Sequence, residues 1–147
     1  MFTIIQDTRE QTPFKFSPGI PVELSKLDTG DYSMKNLTDL VTIERKSVQD
    51  LVGCIGKGRE RFERELKRMR GYRYRAVVIE GTLQKLSGGN WRGKILPQHV
   101  LGSIASWRIK YGIDFIYAGN ADLAAQETER LLRKFHDYCS DYARRFR

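Results

Sequence analysis

Residues Ala76-Val77-Val78-Ile79 form an unbroken apolar run that Glu80-Gly81 closes. A strand apolar on both faces needs cover on both faces, so this one reads as a buried central strand. Helix and strand patterns alternate along the rest of the chain. Together they predict an α/β sandwich, a mixed central sheet flanked by helices. No internal repeat or linker interrupts the 147 residues. The chain therefore reads as a single domain, residues 1–147, able to bury about two-thirds of its unfolded surface.

The elements follow from local pattern. Thr3–Asp7 reads as a first strand, and Asp7–Ser17, with Pro13, as a loop or short turn. Pro21–Leu27 alternates nearly in step at Val22, Leu24 and Leu27, which predicts a half-exposed strand. Ser47-Val48-Gln49-Asp50 has capping-box spacing at the start of a helix. Gly53, Gly56 and Gly58 loosen that helix, and Arg59–Gly71 resumes it with a core seam at Phe62, Leu66 and Met69. Leu86–Pro97 reads as a flexible basic loop. Pro97 opens a helix whose apolar face is Val100, Ile104, Trp107 and Tyr111, and Gly112 stops it. Asp114–Tyr117 is a short strand. Asn120 caps a last helix, Ala121 to about Phe146, roughly 39 Å long.

Chemistry concentrates in one hairpin. Asp31–Met34 and Leu40–Lys46 flank the mostly polar Lys35–Asp39, a loop of about five residues. In a strand Glu44 and Lys46 share a face, roughly 6.6 Å apart along the chain. With Met34 opposite Val41, Asp31 falls opposite Glu44 on that face; a slip of one residue would turn it away. The hairpin then gathers two carboxylates and an ammonium. Carboxylate oxygens suit Mg²⁺, and an ion so held can activate water and neutralise charge on a phosphate. The lysine can lower the water's pKa or steady the transition state. The spacing alone fits a solvated Glu–Lys pair as well. Gly30 is either an ordinary turn glycine or a point where DNA approaches closely.

Charge points to a polyanion. The net charge is +8 and the isoelectric point about 9.7, which makes nucleic acid the default partner and a membrane surface the second. Between Lys57 and Arg75 nine bases face only Glu60, Glu63 and Glu65. Lys57, Arg61, Arg64 and Arg68 form a stripe about 100° round from the core seam, either a solvated face or a row of phosphate contacts. Trp91 either stacks on an unpaired base, with Arg92 and Lys94 on phosphates, or anchors its loop. No apolar run reaches the ~18 residues of a membrane span. The start, Met1-Phe2-Thr3-Ile4-Ile5, has no basic leader, so a cytoplasmic location is expected. Cys54 and Cys139 are read as reduced, buried thiols, with no zinc site.

Asp7-Thr8-Arg9-Glu10, Gly30-Asp31-Tyr32, Glu44-Arg45-Lys46-Ser47-Val48-Gln49-Asp50 and Gly58-Arg59 stand in this order. This series resembles the nuclease domain of the XPF/Hef family, a branch of the PD-(D/E)xK nucleases, over nearly the whole chain. The resemblance implies a restriction-endonuclease-like core and a metal-dependent endodeoxyribonuclease. It implies cutting near single-strand/double-strand junctions in flaps and forks, as in DNA repair and recombination. The catalytic residues implied are Asp7, Arg9, Asp31, Glu44, Arg45, Lys46 and Asp50. Asp31 and Glu44 would ligate Mg²⁺ or Mn²⁺, with Asp7 or Asp50 as an outer or second-metal ligand, and Arg59 would join the DNA contacts. Two of these assignments compete with local readings: Asp50 has capping spacing, and strand alternation points Arg45 away from Glu44 and Lys46. Similar enzymes are usually followed by a helix-hairpin-helix domain, which this sequence lacks. They pair through the C-terminal helices, and a homodimer is expected here through the last helix and through Trp107 and Tyr111. The alternative is a non-catalytic DNA-binding or scaffold subunit; such partners lose acids from the Glu-Arg-Lys word, and this chain keeps them.

Overall fold

The computed structural model describes residues Met1 to Phe146. Six strands form one sheet: β1 (Ile4–Gln6), β2 (Val22–Leu24), β3 (Tyr32–Met34), β4 (Val41–Lys46), β5 (Tyr74–Ile79) and β6 (Asp114–Tyr117). Their spatial order is β2-β1-β3-β4-β5-β6. β3 runs antiparallel to both β1 and β4, while β4, β5 and β6 are mutually parallel. The sheet is thus mixed, and its parallel half lies under helices, as the Ala76–Ile79 run requires.

Five helices complete the chain: α1 (Val48–Ile55), α2 (Arg59–Met69), α3 (Leu83–Gly88), α4 (Pro97–Tyr111) and α5 (Ala121–Arg145). Side chains from α1 to α4 pack with Val77, Ile79 and Phe115 on one face of the sheet. α5 and Phe14 pack with Ile4, Tyr32, Met34, Val41, Ile43, Ala76 and Val78 on the other. β5 sends alternate residues into both cores and is wholly buried from Ala76 to Ile79. This is the α/β, restriction-endonuclease-like core that the sequence implies.

The helix ends are set where the pattern places them. Ser47 accepts from the Asp50 amide and Asn120 from the Leu123 amide. Pro97 opens α4, and Gly112 closes it at φ +64°. Between α1 and α2 the chain turns back through Gly56 and Gly58.

Four expectations need correction. The strand expected over Pro21–Leu27 is only Val22–Leu24, an exposed edge, because Leu27 turns into the protein. The loop expected from Leu86 is preceded and partly replaced by α3, which Thr82 caps and Leu86 pins to the core. Trp107 and Tyr111 are 1 % and 2 % exposed, so they are no interface anchors. Trp107 packs on Phe62 and Phe115 and donates Nε1–H to Glu63. Gly30, at φ +83°, faces its own sheet: an added Cβ would lie 2.2 Å from Thr42 Oγ1. A close approach that requires glycine here is that of β4.

Candidate active site

The β3–β4 register pairs Tyr32 with Ile43, which sets Asp31 opposite Glu44. The Asp31 amide donates to the Ile43 carbonyl at 2.8 Å, and Asp31 Oδ2 accepts from the Arg45 amide at 2.8 Å. Both carboxyls thus meet on one face of the sheet and line the same cleft. Burial first, then the Asp31 charge, push the Glu44 carboxyl well above the usual range. Burial also lifts Asp31, though the Arg45 amide pulls the other way. Lys46 Nζ lies 3.4 Å from Glu44 and over the Phe62 ring. Burial works against its charge, but Glu44, Cys54 and Glu65 together outweigh burial and hold the ammonium above its ordinary value.

These three side chains lie in an open cleft of about 460 Å³ between the hairpin and α1–α2. Asp7, Arg9, Asp50, Arg61 and Arg68 also line it. The Asp50 amide donates to the Ser47 cap while its side chain lines the cleft, so capping does not remove it from the site. Arg68 Nε donates to Thr29 Oγ1 at 3.4 Å, and Arg61 is exposed at the rim.

Other expected residues lie elsewhere. Asp7 is in the cleft but is not free to ligate a cation. Its two oxygens already accept from the Arg9 side chain and amide and from the Leu27 amide. Burial raises its pKa, but these bonds outweigh burial and hold the carboxyl below its ordinary range. Among the described residues no group of three His, Cys, Asp or Glu is close enough to bind a metal directly. Of the acids expected at a metal, Asp7 is thus occupied, whereas Asp31 and Glu44 face the cleft.

Arg45 is on the opposite face of the sheet, as strand alternation requires. It pairs with Glu10 and Glu80, each at 3.1 Å, donates to the Thr12 carbonyl and stacks on Phe14. Tyr32 donates its hydroxyl to the same Glu10. Arg45 clamps the Glu10 loop to the ends of β4 and β5 and reaches no part of the cleft. Arg59 turns toward α4, onto Ser103, Glu63 and Trp107. Arg64 pairs with Glu60 in solvent. Trp91 anchors its loop, donating to the Ile95 carbonyl and packing on the core. Arg92 and Lys94 are exposed on that loop, which Gln49 ties to the start of α1.

The sequence pattern did not single out Glu65 and Cys54, which also line the cleft. Glu65 was detectable: it stands four residues after Arg61 and three before Arg68, on one helical face. Cys54 had no signal beyond its helical position.

A family model for the ERCC4 domain matches residues 6–131. The chain is 28 % identical over 120 residues to the 3′-flap repair endonuclease Xpf of Saccharolobus solfataricus. That match covers 80 % of this chain and 47 % of the relative, so the chain spans about half the relative's length. The fold is similar to XPF from Aeropyrum pernix, with TM-score 0.69 and 23 % identity over 89 % of this chain and 60 % of that one. The Aeropyrum pernix XPF structure in complex with DNA gives TM-score 0.71 and 22 % identity, over 93 % and 66 % of the two chains. With its fold, its motifs and the match over residues 6–131 in agreement, the chain belongs to the ERCC4 domain family.

Proposed function

We propose that this domain is a divalent-metal-dependent DNA endonuclease that hydrolyses phosphodiester bonds at branched or single-strand/double-strand junction DNA. The observation that carries the reading is Asp31 set opposite Glu44 across β3 and β4, with Lys46 3.4 Å from Glu44, in a cleft rimmed by arginines. Family membership and the flap-endonuclease relative support it.

The residues fit Mg²⁺ or Mn²⁺. Two carboxylates, completed by waters and a substrate phosphate, are a usual Mg²⁺ donor set. Asp31 and Glu44 would hold the ion, whose double charge would offset the repulsion between the two carboxylates. When bound, such an ion neutralises charge on the phosphate and makes water more acidic. Lys46 stays protonated at neutral pH and donates to the attacking water or to the charge that builds on the phosphate. Arg9, held against Asp7 and the Leu27 carbonyl, presents the rest of its guanidinium to a phosphate oxygen. Arg61 and Arg68 hold flanking phosphates without regard to sequence.

The reading includes a homodimer joined through α5. Tyr138, Tyr142 and Phe146 are 48 %, 57 % and 72 % exposed and form one aromatic row with Phe135. Twofold pairing is the commonest way to bury such a surplus patch.

The test is cleavage of flap, fork, four-way junction and linear duplex DNA with Mg²⁺, Mn²⁺ or EDTA. Branched substrates should be cut only with metal. Cleavage in EDTA overturns the metal assignment, and equal cutting of linear duplex overturns the branch preference.

A further inference from the structure

Glu65 shares the cleft with Asp31 and Glu44, on the wall that α2 provides. It is half-buried. Of the arginines around it, Arg64 pairs with Glu60 and Arg68 donates to Thr29, while Arg61, one turn before it, is exposed at the rim and makes no ion pair with it. No ion pair or hydrogen bond among the described residues neutralises its carboxylate. The other acids of the cleft differ. Asp7 is saturated by its bonds, Asp31 has the Arg45 amide, Glu44 has Lys46, and Asp50 is solvated on the first turn of α1.

Glu65 lines the same cleft as the pair, across from it on the α2 wall. A third acidic group in a cleft that already holds two carboxyls is unfavourable until a cation collects all three. It is not close enough for direct ligation, because no three acids of the described residues meet at ligand distance. Mg²⁺ retains several of its waters when bound, and a carboxylate beyond the ligands can accept hydrogen bonds from them.

Resting on the reading of the cleft as a divalent-cation site, we infer that Glu65 is a third acidic group of that site and holds the ion through its water shell. Arg61 and Arg68, on the same helix, line the same cleft. The same helix face carries both the phosphate contacts and the outer cation contact.

The experiment measures Mn²⁺ binding to the DNA-free protein by calorimetry and by loss of the free-Mn²⁺ paramagnetic resonance signal. The variants are Glu65→Gln, Glu65→Asp, Glu44→Gln and, as a control in solvent, Glu60→Gln. Glu65→Gln should weaken Mn²⁺ binding about 10- to 100-fold, Glu65→Asp should recover part of this, and Glu60→Gln should bind like the parent. Parent-like binding by Glu65→Gln, with binding abolished in Glu44→Gln, overturns the role of Glu65 and leaves the cation site standing. Parent-like binding by Glu44→Gln overturns the cation reading and this inference with it. Metal-free melting is the folding check: Glu65→Gln should melt no lower than the parent. Unfolding of both Glu65 variants would overturn the inference by making Glu65 structural.

Discussion

Asp31 Oδ2 accepts a hydrogen bond from the Arg45 amide at 2.8 Å, so the backbone of the Glu44-Arg45-Lys46 strand holds the first acid of the cleft in place. The Arg45 side chain leaves on the other face, into a clamp with Glu10 and Glu80. One residue therefore serves the cleft with its main chain and the scaffold with its guanidinium. This division separates what substitutions on either side of it should do.

Glu44→Gln and Lys46→Ala should each reduce cleavage at least 100-fold while leaving DNA binding within a few-fold. These groups act on the reaction, whereas the bases around the cleft supply affinity. Single-turnover cleavage beside binding isotherms separates the two effects, and undiminished cleavage in either variant would rule out the assigned chemistry.

Arg45→Ala should destabilise the fold by roughly 3 kcal/mol, because Glu10 and Glu80 are left partly buried without their cation. Arg45→Lys should recover only part, since an ammonium cannot reproduce the forked contacts. Urea denaturation checks this. Loss of cleavage with no change in the denaturation midpoint would place Arg45 in the chemistry instead.

Replacing Arg61 and Arg68 together with Gln should weaken binding to all DNA sequences alike. On duplex, the slope of log K against log salt should flatten by about 0.9 for each phosphate that the variant no longer neutralises. Arg64→Gln, in solvent with Glu60, should leave that slope unchanged. A slope that responds to Arg64 and not to Arg61 and Arg68 would place the DNA on a different face of α2.

Tyr138→Glu with Tyr142→Glu should convert a dimer to a monomer in sedimentation at micromolar concentration. Both rings are exposed, so the change tests the surface and not the core. Phe135 and Trp107 are poor probes, because both are buried within one chain. A parent protein sedimenting near the 17.1 kDa of a single chain would end the dimer reading.

The elements, and the pairing at the centre of the site, were legible in the order of residues. Met34 faces Val41 and Asp31 faces Glu44 because a strand repeats every two residues and a slip would bury the wrong face. Val100, Ile104, Trp107 and Tyr111 are the buried face of α4 for the same kind of reason, a helical period read against water. Ser47, Asn120, Pro97 and Gly112 mark helix ends through bonds or backbone angles that lie within a few residues. Strand alternation also set Arg45 against the role that resemblance assigned to it.

Which charged groups remain available was settled by the packing of distant segments. Asp7 is consumed by Arg9 and by Leu27, 20 residues on, while Arg45 is consumed by Glu10 and Glu80, each 35 residues away. Arg59 is drawn to Ser103, 44 residues away, and Glu65 lines the cleft with no ion pair to it among the described residues. A local pattern can say which face a side chain leaves from. Whether that side chain then meets an amide, an opposite charge or open water depends on the segments that packing brings to it. Electrostatic partnership acts through space at a few ångströms, and no spacing along the chain encodes it.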